Sequence, residues 1–210
     1  MTALTADDVR TLFSALTATI NGEREHLIEL DSAIGDGDLG ITMSRGFTEA
    51  DTAIRDGDDN DPGRVFMKAG MTIARIAPST MGTLVATGFM KGGKAVAGNE
   101  SLALPDLTEF FDAFVTGIMD RGGAKPGDKT IVDALLPVVE SLRKSEISEA
   151  SLKEALQSAS HAALAGAEKA RGMIAVHGRP AYYGDKSKGM DDPGAYVGTL
   201  IVKAFADHVK

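Results

Sequence analysis

The 210 residues contain no cysteine. That excludes a disulfide framework, a thiolate metal site and a thiol nucleophile, and leaves the fold to packing alone. No stretch approaches the roughly 20 apolar residues of a membrane span, and the amino-terminal Met-Thr-Ala-Leu-Thr-Ala-Asp-Asp has neither the basic nor the apolar region of a secretion signal. The expectation is a cytoplasmic protein with no membrane partner. Cations are outnumbered, 22 Lys and Arg against 30 Asp and Glu, for a formal charge of −8. Such a surface is the reverse of one built to neutralise nucleic-acid phosphates, so no nucleic-acid partner is expected. The four histidines, His26, His161, His177 and His208, lack metal-ligand spacing, and nothing suggests a Ser-His-Asp hydrolase. Gly127-Asp128-Lys129-Thr130 has a superficial likeness to a phosphate-binding loop, but the G-x-x-x-x-G-K-[ST] pattern and its preceding strand are missing. No segment sustains the period-two alternation of a strand.

Helical periodicity fills most of the chain instead. Val9, Leu12, Phe13, Leu16 and Ile20 recur at helical spacing behind a Thr5–Asp8 capping box. Leu27, Ile28 and Leu30 extend that face, and Met43, Phe47, Ala50 and Ile54 restart it. Pro62 suits the first turn of a helix reaching Ile76, and Thr83 to Val96 reads as a weaker helix loosened by Gly88, Gly92 and Gly93. Further helices are expected from Asp106 to Gly122, from the Thr130–Asp133 box across Pro137, from Ser148 to Arg171, and from Pro193 behind an Asp192 cap. The fold class is all-α, and 43% hydrophobic residues suffice for one domain spanning 1–210.

Loops between these helices carry the chemistry. Asp31, Asp36 and Asp38 fall within eight positions, interleaved with Gly35 and Gly37, and no cation follows until Arg45. Convergent carboxylates of this kind need a positive partner, and all-oxygen ligation suits Mg²⁺ bound together with substrate phosphates. Ser79, Thr80 and Gly82 stand before a helix, where hydroxyls and backbone N–H groups can meet phosphate. The long segment Gly178 to Gly194 holds Arg179, Tyr182, Tyr183, Lys186 and Lys188 and reads as a lid whose cations face bound phosphate.

Taken together, Ile34-Gly-Asp-Gly-Asp38 with Arg45-Gly46, Pro126-Gly-Asp-Lys-Thr130 with Asp133-Ala-Leu-Leu-Pro137, Gly178-Arg179 followed by Tyr183-Gly184, and Asp192-Pro-Gly-Ala195 occur in an order and spacing that resemble the dihydroxyacetone kinase L subunit family. The resemblance covers nearly the whole chain. It implies a closed barrel of about eight antiparallel helices with the nucleotide, ATP or ADP, bound among loops at one end. It also implies two Mg²⁺ ions on Asp31, Asp36 and Asp38, phosphate contacts at Ser79, Thr80 and Gly82, nucleoside contacts at Thr130 and Ile131, and closure by Arg179 and Asp192, Pro193 and Gly194. No catalytic residue is expected beyond the metal aspartates. A separate K-type subunit would hold the ketose, and the phosphoryl donor would be free ATP or a phosphotransferase-system protein acting on bound ADP. Leu39 stands where the family commonly has histidine, and Arg75 to Gly82 replaces a glycine-rich loop. These departures point to a branch acting on a related short ketose such as a tetrulose. The rival expectations are a nucleotide-sensing module without turnover and an L-like component working with a fatty-acid-binding partner.

Overall fold

The computed structural model describes residues 2–209. Among these, nine α-helices account for the architecture: α1 (Ala6–Gly22), α2 (Arg24–Ile34), α3 (Leu39–Arg55), α4 (Pro62–Ile76), α5 (Thr80–Ala95), α6 (Leu104–Gly122), α7 (Ile131–Ile147), α8 (Leu152–Arg171) and α9 (Pro193–His208). Two-residue strands, β1 (Leu4–Thr5) and β2 (Ser101–Leu102), pair antiparallel and pin the amino terminus to the α5–α6 connection. None of these helices is long and apolar enough to cross a membrane.

Helix starts follow local chemistry. Thr5 accepts a hydrogen bond from the Asp8 N–H while Asp8 accepts from Thr5, and the Thr130–Asp133 and Ser151–Glu154 pairs repeat the box. Asp61, Ser79 and Asp192 cap α4, α5 and α9. The α1–α2 junction is a bend at Glu23 (φ −98°, ψ 7°), across which the Glu23 N–H still bonds Thr19 and Leu27 bonds Glu23. The two behave as one bent helix, and α3 packs along both.

Counting α1–α2 as one member, eight helices close a ring: α1 lies on α3, each later helix lies on the next, and α9 returns to α1. The ring is the closed all-α barrel that the resemblance implies. Its interior is filled by all eight phenylalanines, each fully buried. Phe66 and Phe110 approach to 4.4 Å between centroids, and Phe89 meets Phe114 edge-on at 5.1 Å. Gly88 and Gly92 prove to be packing positions: a Cβ there would stand 2.7 Å from Phe114 and 2.8 Å from Phe110. The α5 helix is therefore not loosened by them. It starts at Thr80, three residues before the position expected, because Ser79 supplies the cap.

Pro137 lies inside α7 without ending it. Its ring removes the N–H that would bond the Asp133 carbonyl, and Gly166 of α8 sits against that carbonyl, where a Cβ would be 2.4 Å away. The expected Ser148–Arg171 helix begins only at Leu152, since Glu149 turns left-handed (φ 55°).

Candidate functional site

In an up-and-down ring successive connections alternate between the two ends. The α2–α3, α4–α5, α6–α7 and α8–α9 connections therefore share one end, and α3, α5, α7 and α9 all begin there. Four helix N-termini face one region, a field that favours anions. A cavity of about 600 Å³ opens between them, a size suited to a nucleotide-scale ligand.

Three carboxylates stand at its rim. One oxygen each from Asp31, Asp36 and Asp38 lies within 4.8 Å of the others. Asp31 lies in the last turn of α2, and its Oδ2 accepts the Leu39 N–H at 3.3 Å. Asp38 occupies the cap position of α3 yet makes no capping bond, so its carboxylate stays turned to the cluster. Gly37 permits the turn with φ 76°, and a Cβ on Gly35 would fall 2.0 Å from Asp31 Oδ1. Burial and then the Asp36 and Asp31 charges push the Asp38 carboxyl above its ordinary range, while Arg179 opposes them. Arg179 itself reaches across from the lid to Asp36 at 2.7 Å. This donor set, all carboxylate, open on one side and short of positive charge, fits a hard divalent cation that completes its shell from a phosphate.

The other predicted positions converge on the same cavity, with one exception. Ser79, Thr80, Thr130, Ile131, Arg179, Asp192, Pro193 and Gly194 all line it. Gly82 does not: its N–H is taken by Ser79 Oγ at 3.1 Å, and a Cβ there would collide with the Ala77 carbonyl at 2.1 Å. Its glycine serves the α4–α5 corner. Asp192 is buried as the α9 cap, accepting the Ala195 N–H at 2.6 Å, and burial raises its carboxyl to about 6. Gly194 abuts Met81, whose methyl would lie 2.6 Å from a Cβ. Leu39 is buried beneath the triad and lines the cavity.

Sequence reasoning passed over several lining residues. Met81, Leu84, Ile118 and Ala124 give the cavity an apolar wall; the first three sit in ordinary helical patterns and Ala124 in the α6–α7 connection, with no local signal. His177 hydrogen-bonds Asp128 at 2.8 Å, and Asp128 is held below its ordinary range first by the Lys125 N–H and then by His177. Lys129, in the loop set aside as a phosphate cradle, has its ammonium buried among main-chain carbonyls. The lid contains a 3₁₀ segment, Arg179–Ser187, interrupted at Gly184 (φ 51°).

Known proteins place this arrangement. A family model described as the DAK2 domain matches residues 33–207. The ADP-binding subunit DhaL of the PEP-dependent dihydroxyacetone kinase of Escherichia coli K12 is 39% identical over 173 residues, 82% of each chain. The L-erythrulose 1-kinase of Mycolicibacterium smegmatis is 34% identical over 182 residues, which are 86% of this chain but 32% of that longer one. The crystal structure of the C. freundii dihydroxyacetone kinase with AMP-PNP and Mg²⁺ superposes with a TM-score of 0.70 at 26% identity, covering 95% of this chain and 33% of that one. With the match running from the turn that carries Asp36 and Asp38 through the start of α9, this chain belongs to the DAK2-domain family.

Proposed function

We propose that this chain is the nucleotide-binding, phosphoryl-transferring component of a dihydroxyacetone-kinase-like enzyme, acting in the cytoplasm as one domain over 1–210 on a short ketose held by a separate K-type subunit. The observation that carries the reading is the carboxylate triad, three acidic side chains within 4.8 Å at the mouth of a cavity ringed by helix N-termini. Carboxylates in an anion-favouring field make sense together only when a cation and a phosphate are bound together.

Mg²⁺ ions, two in this reading, would neutralise the charge that grows on the phosphoryl oxygens during transfer. Asp31, Asp36 and Asp38 would hold them. Arg179 would turn from Asp36 to the phosphate chain, and Ser79 and Thr80 would offer hydroxyls at the start of α5. The Ser79 oxygen accepts from Gly82 and still has its own proton to donate. Thr130 and Ile131 would border the nucleoside, with Leu84 and Ile118 as the apolar face for a base. Asp192 would act indirectly, fixing the N-terminus of α9 so that Pro193 and Gly194 approach the ligand.

No residue at the cavity is suited to capture a ketose. Its histidine, His177, is engaged by Asp128. Phosphoryl transfer needs positioning and charge neutralisation more than covalent chemistry, so the chain supplies the donor half and the partner supplies the acceptor. The two relatives named above, a dihydroxyacetone kinase subunit and an erythrulose kinase, support three- and four-carbon ketoses as acceptors.

The test is a phosphoryl-transfer assay with dihydroxyacetone and erythrulose, in the presence and absence of a K-type subunit. Its two donor arms are Mg-ATP and ADP-loaded protein with a phosphotransferase donor. Sugar phosphate should form only with both chains present; robust formation by the isolated chain would refute the two-component reading.

A further inference from the structure

Lys129 is the polar side chain that the site as described leaves without a purpose. It is 2% exposed, and its backbone is left-handed (φ 60°), which a non-glycine residue adopts at a cost. Its Nζ, with three protons to give, lies within hydrogen-bonding distance of four main-chain carbonyls: Ser187 and Met190 at 2.7 Å, Arg171 at 3.2 Å and Met173 at 3.4 Å. No carboxylate hydrogen-bonds it. Burial pulls its pKa down, and the more distant Asp192 and Asp191 oppose that. Sequestering an ammonium is unfavourable unless its protons are satisfied, and here they are satisfied entirely by backbone.

The carbonyls come in two pairs, one from each side of the lid. Arg171 and Met173 lie where the chain leaves α8, and Ser187 and Met190 lie where it returns towards α9. The neck between them is closed further by the Gly189 N–H to the Arg171 carbonyl at 2.8 Å, by Arg171 Nε to the Gly189 carbonyl at 2.9 Å, and by the Ala175 N–H to Ser187 Oγ at 2.9 Å. The α6–α7 loop holds the same neck from outside, through the Val176 N–H to the Asp128 carbonyl at 3.2 Å. Arg179 projects beyond the neck to Asp36, and Asp192 begins α9 two residues after Met190.

We infer that Lys129 is the positioning residue of the lid: a covalently attached cation at the centre of a carbonyl cage, which sets the segment from Met173 to Asp192 in register and so places both Arg179 and the start of α9 over the cavity. The ammonium plays the part that a desolvated K⁺ plays among converging carbonyls. Its charge holds together oxygens that would otherwise repel, and because it comes from the loop carrying Thr130 and Ile131, the nucleoside side and the phosphate side of the site are fixed to one another. The last link rests on the nucleotide reading; the cage and its hold on the lid do not.

The experiment measures backbone hydrogen exchange of nucleotide-free wild type, Lys129→Met and Lys129→Ala. Lys129→Met keeps the length of the side chain and removes the donor shared by the four carbonyls, of which Arg171 and Ser187 retain a main-chain N–H from Gly189 and Met190. Amides of Ala175, Val176 and Gly189 should exchange about 10-fold faster or more in both variants, with those of α4 and α5 unchanged. Methylammonium should restore protection in Lys129→Ala, and tetramethylammonium, which has no N–H, should not. A core variant, Leu135→Ala, should gain nothing from either. In a second arm the affinity of Lys129→Met for Mg-ADP should fall about 10-fold. Unchanged lid exchange would overturn the inference, as would acceleration spread over the whole protein with no rescue. Should the variants fail to fold, the wild type decides: a slowly exchanging lysine ammonium signal in contact with Ser187 and Met190 supports the cage, and its absence refutes it. Loss of lid protection in a protein that binds no nucleotide would leave the cage standing while removing the proposed function.

Discussion

At the α3–α4 connection Asp59 and Asp61 direct their carboxylates to the backbone. Asp61 accepts from the Arg64 and Gly98 N–H groups at 3.1 and 2.7 Å, and Asp59 accepts from the Asp61 N–H at 3.0 Å. Arg10 is equally committed there, to the Ile54 and Asp59 carbonyls, beside a cavity of about 460 Å³. At the opposite end of the ring, in the α2–α3 connection, Asp36 and Asp38 accept no backbone N–H among the described residues, and their one cationic neighbour there is the exposed Arg179. Both turns are rich in aspartate, Asp56-Gly-Asp-Asp-Asn-Asp61 in one and Gly35-Asp-Gly-Asp38 in the other. What separates them is where the donors are. One turn satisfies its own oxygens and becomes a structural corner, whereas the other leaves its oxygens converging and requires a ligand. A carboxylate cluster implies a cation only after the local backbone has been shown not to have claimed it.

The largest effect that would break this contrast is at the triad. Asp36→Asn or Asp38→Asn should lower Mg²⁺-dependent ADP affinity by about 100-fold or more while leaving the far-ultraviolet dichroism of the helices unchanged, because a hard cation loses a charged ligand. Removing one of three mutually repelling carboxylates should hold the metal-free melting temperature level or raise it. Arg179→Ala comes next, with a loss of about 10-fold in Mg-ADP affinity. Lys188→Ala, on the same lid but without a contact to the triad, should change affinity by less than about 2-fold; equal losses in the two variants would show that the lid acts through net charge alone.

At the structural corner the expected result inverts. Asp61→Asn should leave ADP affinity within about 2-fold and lower stability by about 1 kcal/mol in urea denaturation, since Asn still caps α4 but cannot accept from Gly98 and Arg64 as a carboxylate does. The smallest and most specific effect is on pH dependence. The folded Asp192 carboxyl titrates near 6, above its ordinary 3.8, so the folded protein retains a proton that the unfolded chain has already released. Its contribution is therefore fully present below about pH 4 and is lost as the pH rises towards about 6. Asp192→Asn should flatten the stability profile across that window; a variant profile parallel to that of the wild type would assign the slope to other groups.

Much of this was legible from sequence where the cause was local. The Thr5, Thr130 and Asp192 caps and the Pro62 start depend on residues within four positions of each other, the carboxylate turn on residues within eight, and each stands where the pattern puts it. The failures have causes that a local pattern does not show. Gly88 and Gly92 looked like weaknesses because Phe114 and Phe110, which fill the space beside them, come from the next helix. Gly82 looked like a phosphate contact because the Ala77 carbonyl that demands a glycine is visible only once α4 turns into α5. Lys129 bonds carbonyls 42 to 61 residues away, and no spacing rule marks such a cage. The ring itself explains why the site residues are scattered: alternate connections share an end, so a site built there must draw on four separate stretches of chain.

The central claim is that the triad end binds nucleotide through a divalent cation, and the direct measurement is calorimetric titration of wild-type protein with ADP at fixed protein concentration, across a series of Mg²⁺ concentrations and in EDTA. The account predicts saturable binding whose affinity rises steeply with Mg²⁺ and disappears in EDTA. Equal ADP affinity with and without the metal would contradict it.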